Sequence, residues 1–130
     1  MNIDALVPEL WQRYPFLDDE NMRVKHGGIT EADVAVWVGE CDGKRGQVFD
    51  EFARYLAVAF HERRLPFAFC DAVMNDLHTV ITNADEMRPD LFWKVFLAFD
   101  EGEFHRRDDK SDDPVAEHTE PAIAAIVADL

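Results

Sequence analysis

Between Gln47 and Arg64 the chain places Phe49, Phe52, Ala53, Leu56 and Phe60 at intervals of three, four, seven and eleven residues. Residues so spaced share one face of a 3.6-residue helix. Val48, Tyr55, Val58 and Ala59 carry apolar character onto other faces, which predicts a central helix covered on more than one side. Arg63 and Arg64 close it favourably for the helix dipole. Leu65-Pro66 is then a break and a restart: proline removes an interior helix bond but suits a first turn. A second helix follows to about Thr82, with Cys70, Val73, Met74, Leu77, Val80 and Ile81 as its apolar set. So short a connection predicts antiparallel neighbours.

The rest of the chain reads as shorter helices around that hairpin. Asn83 to Pro89 is a turn, and Pro89 opens a helix with the stripe Phe92, Val95, Phe96 and Phe99. Gly102 is expected to end it in the left-handed conformation. Thr119 is expected to cap a last helix facing Ile123, Ile126, Val127 and Leu130 inward. Pro8 to Tyr14 predicts a short helix stopped before Pro15. Thr30 to Cys41 carries two signals: Thr30 with Asp33 resembles a capping box, while the β-branched run VAVWV suits a strand. The expectation is an all-α fold, residues 1–130 as one domain of about five helices, with the 47–64 and 66–82 pair at its centre. The alternative is an α+β fold with a short strand near 34–38. At 130 residues one domain is the natural size.

Charge then narrows the partners. The chain holds 27 acidic and 13 basic residues, net −14. Residues 1–42 are net −6, residues 43–82 neutral and residues 83–130 net −8. Such a chain is repelled by phosphate backbones and anionic lipid heads, so neither a nucleic acid nor a membrane is an expected partner. The first ten residues, MNIDALVPEL, carry Asp4 and Glu9 and no basic residue, unlike a secretory leader. Cys41 and Cys70 sit beside acidic residues, which disfavour a thiolate. The expected compartment is the reducing cytoplasm.

Patterns of catalytic or metal-binding type are incomplete. His61-Glu62 begins an HExxH pattern, but the second ligand position is Leu65. The histidines at 26, 61, 78, 105 and 118 are too far apart for one helix to present two of them a turn apart. Asp109 to Glu120 follows the calcium-loop spacing, yet Pro114 stands where the sharp turn requires glycine. Gly43-Lys-Arg-Gly46 lacks the spacing of a phosphate loop and reads as a turn before a helix. No metal or cofactor is expected. Asp71, Asn75 and His78 form a polar ridge at i, i+4 and i+7; an Asp orienting a His general base makes a hydrolase or transferase a third hypothesis.

Two segments mix carboxylates with large aromatics. One holds Trp11, Tyr14, Phe16, Asp18, Asp19 and Glu20; the other runs from Trp93 through Phe99, Asp100, Glu101, Glu103 and Phe104 to Asp109. Solubility asks for a net charge of only about 2–8 in magnitude, so the excess points to a cationic partner. Opposite charge accelerates encounter, and desolvated aromatics anchor the complex. A small, acidic, mostly helical chain with aromatic-acidic segments is similar to the immunity proteins of bacterial toxin–antidote systems, including those of contact-dependent inhibition. That resemblance implies a non-enzymatic binder that neutralises a cognate basic toxin, often a nuclease, by a stoichiometric complex. The carboxylates of Asp18, Asp19, Glu20, Asp100, Glu101 and Glu103 are then the steering groups, and Trp11, Phe16 and Phe104 the anchors. A small cytosolic regulatory adaptor is the runner-up.

Overall fold

The computed structural model describes residues 1–14 and 28–130. Among these, six α-helices account for the regular structure and no strand occurs: α1 (Ile3–Arg13), α2 (Glu31–Glu40), α3 (Arg45–His61), α4 (Phe67–Asn83), α5 (Asp90–Asp100) and α6 (Glu120–Ala128). The expectation of an all-α chain holds. No helix among the described residues is long and apolar enough to cross a membrane.

Helix α3 takes the central place its periodicity predicts. Val48, Phe49, Phe52, Ala53, Leu56, Ala57 and Ala59 are all buried along it. It packs on α1, α2, α4, α5 and α6. Trp37 of α2 lies 5.1 Å from Phe52, Phe92 of α5 lies 5.7 Å from Phe49, and Phe99 lies 5.3 Å from Phe60. Fully burying each such aromatic contributes about 1.5–3 kcal/mol, so these tilted and edge-on aromatic pairs dominate the core. From α4, Phe69, Cys70, Val73, Met74, Leu77, Val80 and Ile81 join the same cluster.

The ambiguous stretch at 30–41 is helical, and its cap decides the matter. Thr30 Oγ1 accepts from the Asp33 N–H, and Asp33 Oδ2 accepts from the Thr30 N–H in return, closing the box reciprocally. Val34 and Trp37, three apart, turn inward while Val36 is exposed, which excludes the strand near 34–38. The basic turn before α3 is tied down by Arg45, whose guanidinium donates to Glu86 at 2.7 Å and to Glu31 at 2.9 Å. That fork joins the starts of α2 and α3 to the α4–α5 turn.

Three boundaries differ from the sequence expectation. Helix α1 begins at Ile3, five residues before Pro8, because Asn2 Oδ1 caps the Ala5 N–H; Pro8 sits inside the helix and forgoes one bond. Gly102 does not adopt the left-handed conformation. It is glycine because a Cβ there would strike Thr119 Oγ1 and the Phe67 ring. Thr119 caps nothing. Its hydroxyl donates to the Ala98 carbonyl at 2.7 Å, and the chain reaches α6 through a π-helical turn, Val115–Thr119. Asp113 caps that turn by accepting from the Ala116 N–H at 3.1 Å.

Where the described chain breaks off at Tyr14 and resumes at Gly28, one polar network holds both ends. The Tyr14 hydroxyl donates to Asp76 Oδ2 at 2.6 Å and accepts from the Ile29 N–H at 3.1 Å. Arg13 donates to the Gly28 carbonyl and to Asp33. Asp76 comes so close to Gly28 that a Cβ would lie 2.6 Å from its Oδ2, so only glycine fits. Burial and the hydrogen bond to Asp76 push the Tyr14 phenol far up, and burial raises the Asp76 carboxyl.

Candidate functional site: an acidic edge between two helices

The polar ridge of α4 and the end of α5 meet along one edge of the molecule. Residues two apart on a helix are turned about 200° from one another. While Phe69 faces Trp11 and Tyr14 of α1, Asp71 therefore lies toward the nearly opposite side. There the turn that follows α5 folds back onto α4, held close by the absent Cβ of Gly102. Asn75 Nδ2 donates to Glu103 Oε2 at 3.1 Å, and burial followed by the nearby Glu103 raises the Asp71 carboxyl.

Electrostatics along the edge follows from that crowding. Burial first, then Glu103 and Asp100, hold the Asp71 carboxyl well above the usual carboxylate range. Burial, then Glu103 and Glu101, raise Asp100 as well. Asp71 and Asp100 are thus held up first by burial and then by the acidic side chains around them. One cation answers it within the chain: Arg106 donates to Glu101 Oε2 at 2.8 Å and to the carbonyls of Glu101 and Phe104. Its guanidinium lies 4.3 Å over the Phe104 ring, and that ring is half exposed at 52%.

Further along α4 the edge becomes aromatic. His78 stacks on Phe96 at 4.2 Å, and Trp93 stacks on Phe96 at 5.4 Å. Arg88 lies 4.5 Å over Trp93 and donates from Nε to His78 Nε2 at 3.1 Å. A nitrogen that accepts must be unprotonated, and burial followed by the Arg88 charge lowers the His78 pKa accordingly. Asp71 and His78, two turns apart, therefore answer to different partners: Glu103 and Asn75 for the acid, Arg88 and the ring stack for the imidazole.

Of the residues singled out in sequence, Asp100, Glu101, Glu103 and Phe104 do come together on this edge. Trp11 does not join them. It lies 47% exposed on α1 with its ring 5.0 Å from Phe69, on the other side of α4. Phe16, Asp18, Asp19 and Glu20 lie outside the described residues. Sequence reasoning placed Asp71, Asn75 and His78 in a catalytic hypothesis, not in a binding surface. It placed Trp93 in the second aromatic-acidic segment without making it an anchor, read Phe96 as core, and passed over Arg88.

Three aspartates of the 109–120 loop, Asp109, Asp112 and Asp113, are engaged by nearby groups of the chain. Asp109 Oδ1 accepts from the Ser111 N–H and Asp113 caps the π-helical turn. Asp112 accepts from the Arg106 N–H at 2.8 Å and pairs with His105 Nδ1 at 3.0 Å; those bonds hold it down to about 2. Among the described residues no cluster of three or more His, Cys, Asp or Glu side chains is arranged to hold a metal ion. No family model, no curated protein and no solved structure matches the chain.

Proposed function

We propose that the protein is a non-enzymatic binding protein that captures a basic protein partner on the α4–α5 edge, in the manner of a cytoplasmic bacterial immunity protein neutralising a toxin. The observation that supports this most directly is the gathering of Asp71, Asp100, Glu101 and Glu103 on one edge, where burial first and then the acidic neighbours raise the Asp71 and Asp100 carboxyls. In isolation that crowding works against the compact state. An incoming Lys or Arg relieves it, so the edge gains more from a cationic partner than a dispersed set of carboxylates would. Phe104 and the Trp93–Phe96–His78 stack flank the charge with aromatic surface, the residue type that most often anchors an interface.

Steering by the field comes first in the proposed mechanism, followed by occlusion of the partner's cationic cleft as aromatic surface is desolvated. Capture from host lysate at low salt, using the wild-type chain and a D100K/E101K/E103K variant, tests it. The expected result is a basic protein retained by the wild type, released at about 0.5 M salt where screening is strong, and lost with the variant. A retained partner that is neutral or acidic, or that the variant holds equally well, overturns the proposal.

A further inference from the structure

The turn between α4 and α5 holds an arginine against an imidazole. Asp85 takes the left-handed conformation at φ 53°. Its N–H bonds the Thr82 carbonyl at 3.1 Å and the Glu86 N–H bonds the Ile81 carbonyl at 3.1 Å, the pattern of a Schellman cap. Glu86 is tied to Arg45 at 2.7 Å, and Pro89 opens α5. Arg88 therefore starts from a backbone fixed on both sides. Its Nε donates to His78 Nε2 at 3.1 Å while its guanidinium lies 4.5 Å over the Trp93 ring. The two rings it touches are 5.8 Å apart and inclined by 27°, and both stack on Phe96.

Among the described residues His105 meets a carboxylate, Asp112 at 3.0 Å, whereas His78 meets a guanidinium. That difference restricts the protonation state His78 can bear. A neutral imidazole has one accepting nitrogen, and Arg88 uses it, so the ring proton belongs on Nδ1. An imidazolium has no accepting nitrogen: it sets N–H against N–H and brings two cations together. Of the other groups around the ring, Asp100 of α5 favours the protonated form. Glu103, from the turn after α5, is engaged by Asn75 one turn before His78. The α4 residues one turn to either side, Met74, Asn75, Ile81 and Thr82, are uncharged.

We propose that His78 is the pH-sensitive half of a latch: neutral, it holds Arg88 across the face of Trp93, and protonated, it releases Arg88 and uncovers that face. The arginine is the partner that leaves. It is exposed on the turn, while the imidazole is half-buried against Phe96, and an imidazolium still gains from the face of an aromatic ring. Linkage makes the effect reciprocal: if protonating His78 releases Arg88, removing Arg88 must make His78 easier to protonate. The latch belongs to the isolated chain and stands whether or not a basic partner docks on the α4–α5 edge.

NMR titration of the full chain from about pH 8 to about pH 5, across the imidazole range, tests it through the His78 ring, the Arg88 Nε and the Trp93 indole resonances. In the wild type all three are expected to move on one curve, with its midpoint below the ordinary imidazole value of about 6.5. In R88A the His78 midpoint is expected to rise toward that value. In H78Q, which takes up no proton, the Arg88 and Trp93 resonances are expected to stay in place, although Asp71 and Asp100 remain free to titrate. An Arg88 Nε that ignores the His78 curve, or a His78 midpoint unmoved or lowered in R88A, overturns the proposal. So does a Trp93 titration that persists in H78Q, because the carboxylates of the edge then drive it.

Discussion

Helix α4 separates two surfaces built from similar materials to opposite effect. On one side Asp71, Asp100, Glu101 and Glu103 gather, and burial together with the acidic neighbours raises the Asp71 and Asp100 carboxyls. On the other, at the α3–α4 corner, Arg54, Arg63 and Arg64 balance Asp4, Glu51 and Glu120 around an apolar floor, so the lining of the groove there is neutral. Aromatics serve both sides: Phe104, Trp93 and Phe96 at the edge, Trp11 and Tyr55 in the groove. The difference teaches that the chain's charge is not a uniform coat for solubility. It is of one sign along the α4–α5 edge and balanced between signs at the α3–α4 corner.

The sharpest way to break this contrast is kinetic. Reversing Asp100, Glu101 and Glu103 to Lys should slow association with the captured basic partner by about 10–100-fold at low salt, as loss of steering does. Stopped-flow rates across a salt series measure it, and the difference should shrink as ionic strength rises. R54E/R63E, which adds negative charge on the far side of α4, should leave that rate unchanged or slightly faster. If both variants slow association equally, the field acts globally and the edge loses its special place.

A second prediction concerns how the edge is assembled. Gly102→Ala introduces a Cβ against Thr119 and Phe67, an overpacking that should cost about 1–3 kcal/mol. Urea unfolding should show the midpoint falling with the slope unchanged. The substitution also pushes the post-α5 turn off α4, so the Asn75–Glu103 contact should weaken with it. A variant as stable as the wild type would show that the close approach is not needed and that Glu103 is not pinned beside Asp71.

How much of this is legible in the sequence depends on whether the signal is local. The helices 47–64 and 66–82 were readable because periodicity lies within a single element, and their observed ends, His61 and Asn83, fall within a turn of expectation. The capping box at Thr30 and Asp33 is likewise a four-residue pattern, and it outweighed the strand preference of VAVWV. The edge is different. Asp71 meets Glu103 only because Gly102 allows a turn to approach α4 across thirty intervening positions, and no spacing rule reports that. Thr119 looked like a cap for the same reason: its true partner, the Ala98 carbonyl, lies on another helix. Trp11 was grouped with the acidic anchors from composition alone, and the fold turns it toward Phe69 instead.

Asp71 supplies a test of the crowding itself. Its folded-state pKa is raised above the unfolded value, so unfolding releases a proton once pH exceeds the ordinary carboxylate range. The contribution to stability is therefore fully present below the unfolded pKa and is lost as pH rises toward the folded one. Asp71→Asn removes the proton and keeps the shape. It should leave stability at pH 4 nearly unchanged and raise it at pH 8 by about 0.5–2 kcal/mol, the range usual for relieving unfavourable surface charge. Thermal unfolding at the two pH values measures it. Equal shifts at both would mean that Asp71 is stabilised by its hydrogen bonds alone, and that the edge is not strained.

The smallest expected effect belongs to the groove. Arg63 occupies the left-handed conformation at φ 61°, which costs a non-glycine residue about 1–2 kcal/mol. Arg63→Gly removes that cost but returns a few tenths as extra backbone freedom in the unfolded chain, so a net gain of about 1 kcal/mol is expected. Gly43, already glycine at φ 79°, supplies the contrast: Gly43→Ala should destabilise by a similar amount, because there no side chain is retained against the backbone preference. If Arg63→Gly instead destabilises the protein, the Arg63 side chain holds the α3–α4 corner together by more than its backbone conformation costs.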